Sequence, residues 1–197
     1  IILYGTGYIY DFIGNYKFRI SAKSFFQTNT LQAEKLYQVA FSFSNFCGNE
    51  VVYDLYSGAG TIPIFISKNV KEIYGFESMN SAIEDAKVNI ELNNIKNFQP
   101  LLCDLNKSFV PVIKEKKLPK PNVVIADPPR NGMNPKTVKD IIYLKPEKII
   151  YISCNPATQA RDIKLLCEEN YKLIKIQPVD MFPHTYHIEN VALLMKN

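Results

Sequence analysis

From residue 51 onward, short apolar runs alternate with stretches whose apolar residues recur every three to four positions. The runs predict strands, and the stretches between them, up to residue 169, predict helices. Strands that alternate with helices are typical of a parallel sheet covered on both faces. The predicted strands are VVYDLYS (51–57), EIYGFE (72–77), FQPLLCD (98–104), NVVIADPP (122–129), KIIYISC (148–154), YKLIKIQPV (171–179) and IENVALLMK (188–196).

The last two predicted strands are separated by only about eight residues, too few for a crossover helix, so they are expected to pair as an antiparallel hairpin. The pattern therefore predicts an α/β fold with a mostly parallel seven-stranded sheet and a C-terminal antiparallel hairpin. This arrangement is typical of Rossmann-like class I methyltransferases rather than of most dehydrogenases.

The first fifty residues follow a different pattern. LYGTGYIYDFIGNYKFRIS is rich in Gly and Tyr and predicts short strands and a turn, and Thr28 or Thr30 could cap a helix from about Leu31 to Phe46. We assign residues 1–30 to the remnant of an upstream region with short strands and residues 31–197 to a catalytic domain. The lack of an initiator Met leads us to expect a fragment of a longer protein.

The amino-acid composition limits the kinds of protein that this chain can be. The 197 residues are 47% hydrophobic, which suits one compact domain and excludes intrinsic disorder. No apolar stretch approaches the ~20 residues that span a bilayer, and we expect no membrane association. A net charge of +4 permits a polyanionic partner without requiring one. The scattered cysteines do not suggest a zinc site or a disulfide scaffold and fit reduced thiols in the cytoplasm; they are Cys47, Cys103, Cys154 and Cys167.

Candidate binding groups follow successive strands. Gly58 and Gly60 allow a sharp turn close to a ligand, and Glu77 could accept hydrogen bonds from the ribose hydroxyls of an adenosine. Asp104 could reach an adenine edge or simply cap a helix. These features fit NAD as well as S-adenosylmethionine, and the rigid Asp127-Pro-Pro turn shifts the balance toward the latter. No metal-ligand spacing is present.

Several long motifs resemble the uracil-C5 RNA methyltransferases over nearly the whole chain. The motifs are SAKSFFQTN, DLYSGAGTIPIFIS, GFESMNSAIEDAKVNIELNNI, VVIADPPRNGM, YISCNPATQARDI and DMFPHTYHIENVALL. The resemblance implies a catalytic domain that uses S-adenosylmethionine to form 5-methyluridine in tRNA or 23S rRNA. In that family an RNA-binding β-barrel and an iron–sulfur cluster belong to upstream regions, which this chain lacks. No protein partner is inferred.

The resemblance also implies residue roles. Cys154 would be the nucleophile and Glu189 the base, and Thr61 stands where many members carry Asn. The implied cofactor contacts are Gln27 at the amino-acid end, Tyr56 and Thr61 beside the glycine loop, Glu77 at the ribose and Asp127 near the methionine portion.

The chemistry explains why a thiol and a base are needed. A thiolate that adds to C6 of uracil makes C5 electron-rich, so that C5 can take up a methyl group before a base removes the C5 proton. Cys154 ends a strand, and a helix beginning near Pro156 would bring its positive end close to the thiol. His187 either orients Glu189 or is itself the base, and it is also a candidate substrate contact.

Other side chains have weaker assignments. Arg130 would hold a phosphate or a flipped nucleotide, and Asn155 would bond the turn or the uracil edge. Arg161 and Asp162 are expected to orient the loop. Candidate stacking platforms for the base, most of them expected to be buried packing residues, are Phe25, Phe26, Phe182 and Tyr186.

Three alternatives remain open at this point. An amino methyltransferase acting on adenine N6 or protein nitrogen shares the acid-Pro-Pro motif, but it usually has an aromatic where Arg130 stands and has no use for Cys154. Cytosine-C5 enzymes take their nucleophile from the fourth-strand motif, which has no cysteine here. A non-catalytic RNA- or cofactor-binding module would keep the glycine loop and would be unaffected by loss of Cys154.

Overall fold

The computed structural model describes residues 6–197; residues 1–5, part of the predicted upstream remnant, lie outside the described residues. The strands are β1 (Tyr8–Ile13), β2 (Tyr16–Ser21), β3 (Val51–Leu55), β4 (Glu72–Glu77), β5 (Phe98–Leu102), β6 (Val123–Ala126), β7 (Lys148–Ser153), β8 (Tyr171–Val179) and β9 (Glu189–Lys196). The α-helices are α1 (Thr30–Ser44), α2 (Thr61–Ile66), α3 (Asn80–Leu92), α4 (Val110–Glu115), α5 (Pro135–Leu144) and α6 (Pro156–Cys167).

Strands β3 to β9 form one seven-stranded sheet in the order β5-β4-β3-β6-β7-β9-β8. Only β9 runs in the direction opposite to the other six strands, and it pairs with β7 on one side and β8 on the other. The predicted parallel sheet and C-terminal hairpin are confirmed. The insertion of β9 between β7 and β8 was not predicted.

The sheet is buried on both faces, which explains the nearly continuous apolar runs of its central strands. Val52 and Ile150 face a core shared with α1, α2 and α3. Tyr53 and Tyr151, one position further along the same strands, face a second core shared with α4, α5 and α6. The polar groups of the central strands are therefore confined to their ends, apart from one carboxyl group described below.

Strands β1 and β2 form a separate antiparallel hairpin. Ile13 and Phe18 on its inner face are fully buried in the same apolar core as α1 to α3. The predicted short strands and turn are confirmed for the described part, and the assignment of residues 1–30 to an upstream remnant stays a prediction.

The N-cap of α1 differs from the prediction. Asn29, rather than Thr28 or Thr30, caps the helix, because its side chain accepts a hydrogen bond from the Gln32 N–H at 3.2 Å. The same amide donates to the Met181 carbonyl at 2.9 Å, which ties the cap to the loop before β9.

None of the helices in residues 6–197 combines the length and the apolar character that crossing a bilayer requires. The carboxyl ends of β3, β4, β6 and β7 lie at one edge of the sheet. The chain order reverses between β3 and β6, and ligands of such folds bind in the crevice at this switch point.

Candidate active site

A cavity of about 740 Å³ opens at the carboxyl ends of β3, β4, β6 and β7. It joins residues from nine separate segments of the chain, including the loop between β2 and α1. The predicted site residues that line it are Gln27, Tyr56, Gly58, Thr61, Glu77, Asp127, Arg130, Cys154 and Glu189.

Two predicted cofactor contacts lie outside this lining. Asp104 is half-buried and accepts a hydrogen bond from the Asn106 N–H at 3.0 Å, so it turns the chain after β5. Leu105 and Asn106 line the cavity instead. Gly60 is the N-cap of α2.

Two predicted substrate contacts also lie outside the lining. Asn155 caps α6 by accepting from the N–H groups of Ala157 and Thr158. His187 contacts the Arg130 guanidinium, with 3.4 Å between Nδ1 and Nη2. Asn155 and His187 therefore lie beside the cavity and do not line it.

The glycine loop is held from β4. The N–H groups of Tyr56 and Ser57 both donate to the Phe76 carbonyl, and the Gly58 N–H donates to Glu77 Oε2 at 3.0 Å. Tyr56 has a φ of 68°, an uncommon left-handed conformation for a non-glycine residue. This turn directs the backbone of the glycine loop toward the cavity.

Thr61 lines the cavity with its hydroxyl already engaged. Its Oγ1 lies 2.9 Å from the hydroxyl of Tyr37, a buried residue of α1 that also lines the cavity. The Thr61 hydroxyl therefore links the first turn of α2 to α1.

Asp54, in the middle of β3, was missed by the sequence reasoning. Its side chain lines the cavity, the residue is 1% exposed, and neither carboxyl oxygen has a hydrogen-bond partner among the described residues. Burial raises its pKa well above the usual range, and the carboxylates of Asp127 and Glu77 raise it further. A charged residue within the apolar run VVYDL was the available signal.

Two further carboxyl groups have raised pKa values. Burial raises the pKa of Asp127 to about 8, with a further contribution from the Glu189 carboxylate. Burial also raises the pKa of Glu189 to about 7, and the Arg130 guanidinium opposes that shift. Glu189 can therefore exchange a proton near neutral pH, as a general base requires.

Cys154 lies between β7 and α6, partly exposed to the cavity. Burial raises the pKa of its thiol, Glu189 and Asp127 raise it further, and Arg130 opposes them. Helix α6 begins at Pro156, two residues after Cys154, as predicted, and its effect on the thiolate stays a prediction. The first N–H groups of α6 point to the Asn155 side chain, and they therefore do not solvate the sulfur.

The Asp127-Pro-Pro-Arg130 loop is held by α6. Its Arg130 carbonyl accepts from Asn155 Nδ2 at 3.1 Å and from the Thr158 hydroxyl at 3.2 Å. Asp162 accepts from the Met133 N–H at 2.8 Å, and Arg161 donates to the Asn131 carbonyl at 2.9 Å. Arg161 and Asp162 orient the loop, as predicted.

The predicted stacking platforms divide into two groups. Phe26 is buried in the core and Phe182 is half-buried, as expected for packing residues. Phe25 and Tyr186 are instead 77% and 90% exposed, and Phe25 lines the cavity. Phe25 therefore presents an open aromatic face at the cavity.

Comparisons with known proteins identify relatives over nearly the whole chain. The family model described as tRNA (Uracil-5-)-methyltransferase matches residues 12–197. An uncharacterized RNA methyltransferase of Clostridium tetani is 45% identical over 194 residues, covering 98% of this chain and 42% of that protein. One from Streptococcus mutans is 46% identical over 194 residues, covering 98% and 43%. The chain thus spans less than half the length of these relatives.

Solved structures show the same fold. The Pyrococcus abyssi tRNA (uracil-54, C5)-methyltransferase in complex with S-adenosyl-L-homocysteine superimposes with a TM-score of 0.82 at 36% identity, covering 98% of this chain and 45% of that chain. The Methanocaldococcus jannaschii tRNA m1G37 methyltransferase, 20% identical with a TM-score of 0.70 and covering 97% and 57%, shares the fold alone.

We predict that Gly132→Ala destabilises the protein more than Gly48→Ala. Both glycines have positive φ, but a Cβ at Gly132 would lie 2.6 Å from Asp162 Oδ2, whereas none of the described atoms lies within 4 Å of a Cβ at Gly48. Overpacking should cost about 1–3 kcal/mol of unfolding free energy beyond the shared backbone strain. Urea unfolding measures the difference, and equal losses would show that α6 does not hold this loop tightly.

We predict that Asp54→Asn changes how stability depends on pH. The raised native pKa means that Asp54 stabilises the fold below its unfolded pKa and that this contribution is lost as pH rises toward the native pKa. Relative to wild type, the variant should gain up to about 1.4 kcal/mol of unfolding free energy per pH unit above about pH 4. Urea unfolding between pH 5 and 8 measures the slope, with exposed Asp180→Asn as the charge control. A flat difference between variant and wild type would contradict the assignment.

Proposed function

This chain belongs to the tRNA (uracil-5-)-methyltransferase family, and from that premise we propose that it methylates C5 of a uridine in RNA with S-adenosylmethionine as the methyl donor. One observation carries the proposal. A cysteine and a carboxyl group with a pKa of about 7 line the same cavity as the glycine loop, which suits addition to a pyrimidine ring followed by proton removal.

The cavity fits a cationic cofactor. Asp54, Glu77 and Asp127 face it, and both oxygens of Asp54 are buried without a partner among the described residues. S-adenosylmethionine carries an ammonium and a sulfonium, so Asp54 and Asp127 would bind its methionine end. The pyrophosphate of NAD would meet the same carboxylates unfavourably, which resolves the earlier ambiguity toward S-adenosylmethionine.

The remaining cofactor contacts are assigned from the positions of the side chains that line the cavity. Glu77 would accept from the ribose hydroxyls, since its carboxylate already lies beside the Gly58 N–H. Gln27, which lines the same cavity, would bind the amino-acid end. When bound, S-adenosylmethionine supplies an electrophilic methyl group.

Cys154 starts the reaction as its thiolate. Its sulfur forms a bond to C6 of the uracil, and the electron pair of the C5–C6 double bond moves toward C5 and O4. C5 would then bond to the methyl group as the bond between that methyl and the sulfonium sulfur breaks, and S-adenosylhomocysteine would leave. The raised pKa of the free thiol means that the thiolate fraction, and hence the rate of addition, should increase with pH.

Glu189 completes the reaction as the base. It takes the C5 proton, the C5–C6 double bond re-forms, and the C6–S bond breaks to return the thiolate. Glu189 is buried and lines the cavity, whereas His187 lies outside the lining and contacts Arg130. This placement favours Glu189 as the base and His187 as a residue that positions Arg130.

The target base must leave its stack to reach Cys154. Unstacking costs a few kcal/mol, which aromatic stacking can offset. Phe25 is the exposed ring on the cavity wall, and we assign it the stacking role. Arg130 is exposed beside Cys154 and would bind the phosphate or the flipped nucleotide.

An amino methyltransferase is less well supported. Transfer to a ring or protein nitrogen needs no thiol, yet Cys154 lines the cavity beside Glu189. The position after Asp127-Pro-Pro carries Arg130 rather than a stacking aromatic.

For the RNA substrate, we propose only the class of RNA. The Pyrococcus abyssi relative acts on uracil-54 of tRNA, and both tRNA and 23S rRNA remain candidates here. The curated relatives are more than twice as long as this chain, and we propose that upstream regions supply RNA selection. The scattered cysteines fit the cytoplasm as the compartment.

We predict that Cys154→Ala abolishes a covalent adduct with RNA containing 5-fluorouridine. Fluorine at C5 blocks proton removal, so the thioether to C6 should persist and shift the protein on a denaturing gel. The intact protein is incubated with saturating S-adenosylmethionine and with fluorouridine-substituted tRNA or 23S rRNA.

Cys167→Ala is the matched control, since Cys167 ends the same helix that begins next to Cys154 and is exposed. The control should form the adduct as wild type does. Methylation that persists in Cys154→Ala would favour an amino methyltransferase, and absence of both adduct and methylation in wild type would favour a binding module.

We predict that Glu189→Gln stalls after methyl uptake. Without a base, the C5 proton stays in place, so a methylated protein–RNA adduct should accumulate with ordinary uridine while turnover falls by about 100-fold or more. Labelled methyl groups co-migrating with the protein on a denaturing gel measure the adduct.

Glu147→Gln, at the opposite end of the sheet, is the control and should behave as wild type. Normal turnover in Glu189→Gln together with a stalled His187→Gln would transfer the role of base to His187.

A further inference from the structure

Three polar side chains form a stripe along α3. Asp85, Asn89 and Asn93 are spaced by four residues, so they lie on one face of the helix. This face lies against the edge of β2 that does not pair with β1. The stripe occupies the place that a neighbouring strand would take in a larger sheet.

The two asparagines imitate strand pairing. Asn89 Oδ1 accepts from the Arg19 N–H at 2.7 Å, and its Nδ2 lies 3.3 Å from the Arg19 carbonyl. Asn93 makes the same pair with Lys17, at 3.0 Å and 2.7 Å. Each amide therefore satisfies both backbone groups of one β2 residue.

Asn89 makes one contact that Asn93 lacks. Its Nδ2 also donates to the Ala59 carbonyl, in the glycine loop, at 3.1 Å. Ala59 precedes the N-cap of α2, so its carbonyl lies outside the helical hydrogen bonds. Both Asn89 and Ala59 are buried. The second donor contact of Asn93 instead goes to the Asn89 carbonyl within α3.

Asp85 continues the stripe of contacts with the hairpin toward the cavity. It is 1% exposed, forms an ion pair with Arg19 at 2.6 Å, and accepts from the hydroxyls of Ser21 and Ser24. Ser24 immediately precedes Phe25, Phe26 and Gln27, which line the cavity. One helix face thus holds two walls of the cavity, the Phe25–Gln27 segment and the glycine loop.

We propose that Asn89 is a positioning residue of the cofactor site, which fixes the glycine loop at a set distance from the β1–β2 hairpin. Release of the Ala59 carbonyl would let the loop shift away from the Phe25–Gln27 wall. The cofactor must contact both walls, so its affinity should depend on Asn89. This inference rests on the proposed binding of S-adenosylmethionine in the cavity.

The test compares Asn89→Ala with Asn93→Ala in the intact protein. Both variants lose the paired contacts to β2, and only Asn89→Ala releases the Ala59 carbonyl. The dissociation constant for S-adenosylmethionine, measured by titration calorimetry, should rise about tenfold or more in Asn89→Ala and less than about twofold in Asn93→Ala. Thermal unfolding should show a larger loss of Tm in Asn89→Ala, because this variant also leaves the buried Ala59 carbonyl without its donor.

Amide hydrogen exchange gives a readout that does not need the cofactor. The Gly58 N–H, which bonds Glu77, should exchange faster in Asn89→Ala than in Asn93→Ala. Asn89→Ser, with a shorter polar side chain, serves as the second variant if Asn89→Ala does not fold, and the same differences from Asn93→Ala are expected.

The outcomes distinguish the positioning role of Asn89 from the proposed function. Equal affinities and equal exchange in the Asn89 and Asn93 variants would overturn the positioning role while leaving the proposed function intact. Failure of the wild type to bind S-adenosylmethionine would overturn the proposed function, and faster Gly58 exchange in the Asn89 variant would still support its hold on the loop.

Discussion

Four carboxyl groups face one cavity whose described lining contains a single guanidinium, and this imbalance of charge governs the site. Asp54, Glu77, Asp127 and Glu189 converge because the strands that carry them end or begin at the same edge of the sheet. Burial disfavours the ionised forms of Asp54, Asp127 and Glu189, and neighbouring carboxylates add to this effect at Asp54 and Asp127. The pKa values of Asp127 and Glu189 rise to about 8 and about 7. Such a cavity favours a cationic ligand. The topology of the sheet brings these carboxyl groups together, and it therefore favours a cationic cofactor.

Two helices hold loops at this cavity. From the N-cap and body of α6, Asn155 and Asp162 bond the backbone of the loop that follows Asp127, and from α3, Asn89 bonds the glycine loop. These side chains satisfy backbone groups that lie outside the regular hydrogen bonds of a strand or helix. Bringing a ring, a thiol and a base together demands this precision, since small displacements reduce the benefit of proximity.

Periodicity predicted the sheet and its hairpin because strands buried on both faces leave continuous apolar runs separated by helical stretches. It could not show that β9 would lie between β7 and β8, since strand order depends on contacts between distant segments. The cap of α1 was misassigned because Thr28, Asn29 and Thr30 are all capping residues, and only the bond to Gln32 selects Asn29. Asp54 was missed because a carboxyl group inside a strand becomes informative only when its lack of a partner is seen. The roles of Cys154 and Glu189 stay predictions, although the structure brings both to one cavity.

The raised pKa values also connect binding to reactivity. Cys154, Glu189 and Asp127 influence one another, since each negative charge disfavours ionisation of the others. A cation bound among them lowers all three pKa values together, so the thiolate and the carboxylate base are favoured when the cofactor is present. Without it, burial keeps the thiol largely protonated. On the proposed function, a uridine entering the empty cavity would meet a weakly nucleophilic thiol, and unproductive addition to RNA would be slow. The charge of the cofactor would thus prepare the nucleophile as well as deliver the methyl group.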